Sequence, residues 1–229
     1  MLELRVFSSL EDCVQKVADD IRACIDSALN EYGCASFAVS GGRTPEHIFP
    51  ILANMDLPWN QVSITLADER WVDPLHPDSN EGLTRRLLMQ GPAAAAHFVG
   101  LKTAADNPFD GQEECETALA SLNWPLDGIF LGMGEDGHIA SLFPSGADWL
   151  DAQGRALDVA ASGGRQARMS LTPKALLDCG HIFLVISGPQ KRATFDAAMQ
   201  AGSIGEFPVR LILHQDQVPV TVYAFDETL

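Results

Sequence analysis

The 229-residue chain has no uninterrupted run of 18 apolar residues, and its amino terminus, MLELRVFSSLEDC, lacks both a basic n-region and an apolar h-region. Neither a membrane span nor export is expected, and a cytoplasmic location follows. Cysteine is sparse. Cys13, Cys24, Cys34, Cys115 and Cys179 are odd in number and widely spaced, with no CxxC pair, which argues against a disulfide framework or a zinc site and for reduced thiols. No HExxH pattern occurs, and His47, His76, His97, His181 and His214 stand in uninformative contexts, so no metal is expected. Basic residues are also few: 15 Lys and Arg against 31 Asp and Glu give a formal charge of -16, which repels a polyanion and disfavours nucleic acid as a partner. A small anion can be held only if the scarce cations converge on one site.

The chain is 46% hydrophobic and 20% charged, the mixture of a globular protein. Its length accommodates a single domain over residues 1–229, with room for a smaller lobe that the sequence does not delimit. A monomer or weak homodimer is the expected assembly.

Residues 3–7 read as a strand. Leu10, Val14, Val17, Ile21, Ile25 and Leu29 then recur at steps of three and four, the mark of an amphipathic helix, with serines as caps before it and Gly33 as its stop. Strand, tight loop and helix follow each other in ASFAVS–GGRT with a helix from Pro45, and again in VSITLADER, 62–70, with a helix from Ser79 and Asn80 to Gly91. The same reading covers 127–143 and 181–200, where Pro189 opens the last helix. PVRLIL and PVTVYAF look like closing strands; 91–96 reads as a linker and 144–166 as a mobile excursion. Nearly continuous apolar strands alternating with helices predict an α/β fold, a doubly wound, mostly parallel sheet with helices on both faces. Ligands of such sheets sit beyond the carboxyl ends of the strands, where the charged loops gather.

Ser40, Gly41, Gly42, Arg43 and Thr44 lie between a strand and a helix start. Glycines there admit close approach and free N–H groups attract phosphate; the alternative is a tight turn with no ligand. Residues 132–137, GMGEDG, match a dinucleotide fingerprint formally, but Glu135 and Asp136 would oppose a pyrophosphate and His138 would crowd it. His138 follows that turn at the sheet edge, placed to act as a general base or else to serve structure alone. Asp68, Glu69 and Arg70 end a strand, pointing into the cleft or forming an exposed ion-pair cluster. Arg168 and Lys191 are further cations near strand ends; with Arg43 and Arg70 they would supply the positive patch a phosphorylated ligand needs.

SGGRTP, LADERWVD with downstream DSN, GMGEDGHIASLFP, RMSLT and SGPQKR, in this order over most of the chain, resemble the 6-phosphogluconolactonase family. The resemblance implies a modified doubly wound α/β fold shared with glucosamine-6-phosphate deaminase and ribose-5-phosphate isomerase. It implies hydrolysis of 6-phospho-D-glucono-1,5-lactone without a cofactor. It implies His138 as the base, Gly41, Gly42 and Thr44 with Arg168 and Lys191 as a phosphate grip, and Asp68 and Arg70 as groups that act on or position the substrate. Arg43 departs from the serine often found in the family's SGGSTP, adding a cation that contacts phosphate or faces water. Two rivals stand beside this reading: an amino-sugar phosphate isomerase or deaminase using Asp68 as a carboxylate base, and a non-enzymatic sugar-phosphate sensor.

Overall fold

Ser9 and Gly33 bound the first helix as their chemistry predicts. The Ser9 side chain accepts from the Asp12 N–H at 3.1 Å, and Gly33 takes the left-handed conformation (φ 75°) that closes a carboxyl terminus at little steric cost. The computed structural model describes residues 1–144 and 147–226; Ser145 and Gly146, in the expected excursion, lie outside the described residues. Strand β1 (Leu2–Phe7) leads into this helix, α1 (Leu10–Tyr32). The face of α1 carrying Val14, Val17, Ile21 and Ile25 is buried against β2 (Ala35–Val39), β6 (Gly128–Gly132) and β10 (Val220–Phe225).

With β3 (Val62–Leu66), β5 (His97–Val99) and β9 (Ile182–Ser187), these strands form a seven-stranded sheet in the order β1-β10-β9-β6-β2-β3-β5. Every pairing in it is parallel. All residues of β2, β9 and β10 are buried, which requires cover on both faces. Each fully buried large side chain, such as Phe49, Phe130 or Leu66, contributes about 1.5–3 kcal/mol. From β2 the chain winds outward to β3 and β5, whereas from β6 it winds the other way to β9 and β10. The order therefore reverses between β2 and β6, and the crevice for a ligand lies beyond the carboxyl ends of those two strands.

Four expectations are corrected. VSITLADER is two strands, because the chain leaves the large sheet at Ala67 and β4 (Asp68–Arg70) pairs antiparallel with β8 (Arg168–Leu171), itself paired with β7 (Ala156–Val159) in a second, three-stranded sheet. The helix expected to reach Gly91 is shorter: α3 spans Asn80–Leu87, and the supposed linker forms a 3-10 helix over Gly91–Ala95 with Ala93 buried. No helix follows His138. Gly137 (φ 80°) and Ala140 (φ 48°) are left-handed, and Ile139 bridges both Met133 and Leu142, so the backbone bonds locally instead of along a helix. PVRLIL contains not a strand but α7 (Arg210–Leu213); a short apolar run cannot distinguish the two, and the buried Arg210 decides by donating to the carbonyls of Ala197, Ala198 and Ser203. Three further helices, α2 (Arg43–Ala53), α4 (Pro108–Leu119) and α6 (Gly188–Ala198), complete the layers with a one-turn α5 (Pro173–Leu177). No helix is long and apolar enough to cross a membrane among the described residues.

Candidate active site

A cleft of about 260 Å³ opens at the crevice beyond β2 and β6. Its lining includes every residue singled out in the sequence as a site candidate: Gly41, Gly42, Arg43, Thr44, Asp68, Arg70, His138, Arg168 and Lys191. The loop after β2 brings the glycines and the uncapped amino terminus of α2. Gly42 precedes that helix at φ 109°, and no side chain caps it, so its N–H groups are free for an anion. Gly41 is required by close approach: a β-carbon there would lie 1.8 Å from Asn80 Oδ1. Asn80 in turn donates to the Asp68 backbone carbonyl at 2.8 Å, tying the start of α3 to β4.

Alternation along β4 separates the three residues of its charged triplet. Asp68 and Arg70 line the cleft, while Glu69 points away, wholly buried, accepting from Ser79 Oγ and from the N–H groups of Asn80 and Glu81 at the start of α3. Burial pushes the Glu69 carboxyl upward, against these hydrogen bonds. The Asp68 carboxylate is engaged by the protein: it accepts from Ser141 Oγ at 2.5 Å, Arg168 at 3.2 Å and Asn80 at 3.2 Å. Arg168 lies opposite Arg70 in the β4–β8 register, and burial lowers its affinity for a proton despite Asp68. Lys191, in the first turn of α6, is also held below its usual range, by burial first and by the nearby Arg43 second. Arg43 itself is exposed at the rim. Three buried polar atoms of the lining residues, Ser40 Oγ, Arg70 Nε and Arg168 Nε, have no partner. Such groups are costly unless a ligand or solvent engages them.

The loop after β6 presents His138. Gly134 N–H donates to the His138 carbonyl at 2.9 Å and closes the turn; a β-carbon on Gly134 would lie 2.1 Å from His138 Nδ1, so only glycine lets the imidazole fold back here. Thr194 of α6 donates to the Glu135 carbonyl at 2.7 Å, and the Val209 N–H to that of Gly137 at 2.9 Å, so two other elements brace the turn. Asp136 Oδ1 lies 2.5 Å from His138 Nδ1 and also accepts from the His138 N–H. This hydrogen bond pulls the Asp136 carboxyl down to about 2, so the carboxylate is ionised at neutral pH. Nδ1 then carries the proton and donates, leaving Nε2 as the basic nitrogen. The sequence reading used Asp136 only to argue against a dinucleotide; its spacing of two from His138 across a glycine was the available signal. Ser141 was missed as well, since only the fold brings it to Asp68.

A larger cleft of about 850 Å³ lies at the opposite edge of the sheet, lined by Asp127 and His181, which precede β6 and β9, and by Thr221 near the start of β10. None of the candidates gathers there.

The family described as glucosamine-6-phosphate isomerases/6-phosphogluconolactonase matches residues 8–222. A 6-phosphogluconolactonase of Pseudomonas aeruginosa is 38% identical over 226 residues, 96% of this chain and 93% of that one. One of Mesorhizobium japonicum is 41% identical over 201 residues, covering 86% and 84%. The crystal structure of a 6-phosphogluconolactonase from Shewanella baltica superposes with a TM-score of 0.95 at 32% identity, covering 98% of each chain. A monomeric glucosamine-6-phosphate deaminase, 18% identical with a TM-score of 0.81, shares the fold. This chain belongs to the glucosamine-6-phosphate isomerase/6-phosphogluconolactonase family.

Proposed function

We propose that the protein hydrolyses 6-phospho-D-glucono-1,5-lactone to 6-phospho-D-gluconate, with His138 activating the water. The observation that carries the reading is His138, lining a cleft together with Arg43, Arg70, Arg168 and Lys191, with the ionised Asp136 against its Nδ1. Nε2 takes a proton from water as its oxygen attacks the lactone carbonyl carbon, and the tetrahedral oxyanion is stabilised by the positive field of the cleft. Collapse breaks the bond from that carbon to the ring oxygen, which receives the proton from the imidazolium. The product carboxylic acid then ionises.

The phosphate is held by the N–H groups and Thr44 at the start of α2, by Lys191 and by Arg168, with Arg43 adding a charge from the rim. Anchoring the phosphate fixes the distant carbonyl beside His138, so binding becomes orientation. Asp68 serves as a positioning group: its oxygens are taken by Ser141, Arg168 and Asn80, which supports a role in aiming Arg168 over one in abstracting a proton from carbon. All these groups come from one chain, so a monomer suffices and a weak homodimer is compatible. The cytoplasm suits the five free thiols, four of which burial pushes up to about 12 and so leaves unreactive.

The test is to generate the lactone in situ from glucose 6-phosphate and follow 6-phosphogluconate release above spontaneous hydrolysis, with glucosamine 6-phosphate tried in parallel. Accelerated release and no deamination are expected. Turnover of the amino sugar alone would favour the deaminase, and tight product binding with no acceleration would favour a sensor.

A further inference from the structure

At its far end the β7–β8 hairpin touches the Asp136–His138 turn through Arg165, while Arg168 in β8 lies over the neighbouring Phe143 ring, 5.3 Å from its centre. Its tip is closed by reciprocal bonds between Ser162 and Arg165, N–H to carbonyl at 3.2 and 2.9 Å, with Gly163 (φ 58°) and Gly164 (φ 80°) supplying the left-handed residues the reversal needs. This tight tip aims Arg165 at Asp136 within the turn and at Phe143 beyond it. Its Nη1 lies 3.9 Å from Asp136 Oδ2, the carboxylate oxygen not used by His138. Its guanidinium carbon lies 4.0 Å from the centre of the Phe143 ring, whose centre is 4.7 Å from that of the His138 imidazole. Arg165 is not among the residues lining the cleft; it lies behind Phe143 in a neighbouring hollow of about 370 Å³.

We propose that Arg165 is a positioning residue: from the hairpin it fixes the Asp136 carboxylate and the Phe143 ring, and through both it fixes the His138 imidazole. The physical reason is geometric. A carboxylate held at one oxygen can still rotate about its last bond, and an imidazole bonded only through Nδ1 can swing about that bond; a contact on the second oxygen and an aromatic buttress remove both freedoms. The charge of Arg165 also attracts the Asp136 carboxylate. Arg165 and Asp136 are both half-exposed, so water screens that attraction, and orientation is the larger effect.

This inference rests on His138 being the base, so its test has one arm independent of turnover. Arg165→Met and Arg165→Lys are compared in the wild-type and His138→Asn backgrounds, and the imidazole nitrogen shifts of 15N-histidine-labelled protein are recorded without substrate. Arg165→Met should lower kcat about 5-fold with KM unchanged, the size expected for losing one screened ion pair and one cation–π contact. Lysine should recover part of the loss, and the effect should vanish in the His138→Asn background. The His138 shifts should move from an Nδ1–H tautomer toward the average of the two. Unchanged kcat, a raised KM at constant kcat, or the same loss without His138 would each overturn the proposal. Should the unsubstituted protein fail to accelerate lactone hydrolysis, the functional reading falls, and His138 shifts unmoved by Arg165→Met would overturn the positioning role separately.

Discussion

The clefts at opposite edges of the sheet differ in size and in how their polar groups are engaged. The one beyond the amino ends of the strands is about three times larger, 850 against 260 Å³. Its charges are satisfied from within: Arg5 pairs with Glu3 and Asp20, Tyr223 donates to Asp20 at 2.7 Å, His181 meets Thr221 at 2.9 Å, and Asp127 accepts from Ser36 N–H at 2.7 Å. Of the five buried side-chain atoms without a partner among the described residues, three belong to residues lining the small cleft and none to residues lining the large one. Polar groups left free by the fold distinguish the small cleft as the candidate site, and volume does not.

The widest difference should appear on removing the basic nitrogen. His138→Ala is expected to lower kcat by about 10²- to 10⁴-fold, the range of general-base assistance, with the melting temperature little changed. Retention of wild-type kcat in that variant would place the base elsewhere. Lys191→Met should raise KM by about 10- to 100-fold through loss of a charge-assisted contact to phosphate. Because burial and Arg43 depress the Lys191 pKa below 10.5, its charged form opposes folding at neutral pH, and that cost fades only as pH rises through the lowered value. Thermal unfolding of Lys191→Met at pH 7 should therefore show equal or higher stability, and a marked fall would mean that the lysine is structural.

A subtler separation is available in acid. The folded pKa of Asp136 is depressed from 3.8 to about 2, so the stability it contributes is complete above 3.8 and is lost as pH falls toward 2. Unfolding curves of the wild type and Asp136→Asn should converge across that window, and a constant gap would deny the coupling to His138. The smallest effect belongs to the large cleft: His181→Gln should leave kcat/KM within about 2-fold, as for a side chain remote from the chemistry. A loss comparable to that of His138→Ala would overturn the contrast between the two edges.

Much of this was legible along the chain because its signals are local. Ser9, Gly33 and Pro189 act within a few residues of themselves, and the glycine-bounded loops announce where strands end at the sheet's edge. The charged triplet after β3 was legible only in part. Its residues were expected at a strand end, but that Glu69 would turn inward to hold α3 depends on β4 crossing into a second sheet. The partners of Asp68 lie far along the chain: Arg168 in that sheet at a separation of 100, and Ser141 outside it at 73. No periodicity spans such distances.

The sequence by itself determined the alternation of buried strands and helices, the glycine-bearing loop at Ser40–Thr44 between a strand and a helix start, and the scarcity of cations, since each follows from local patterning or composition. Tertiary structure alone decided that Asp136 would orient His138, that Asp68 would be held by Ser141, Arg168 and Asn80, and that Arg165 would stand behind Phe143. The physical reason is that a hydrogen bond or an ion pair depends on distance and direction, and for groups separated by a turn, a hairpin or a hundred residues those are set by how the sheets pack.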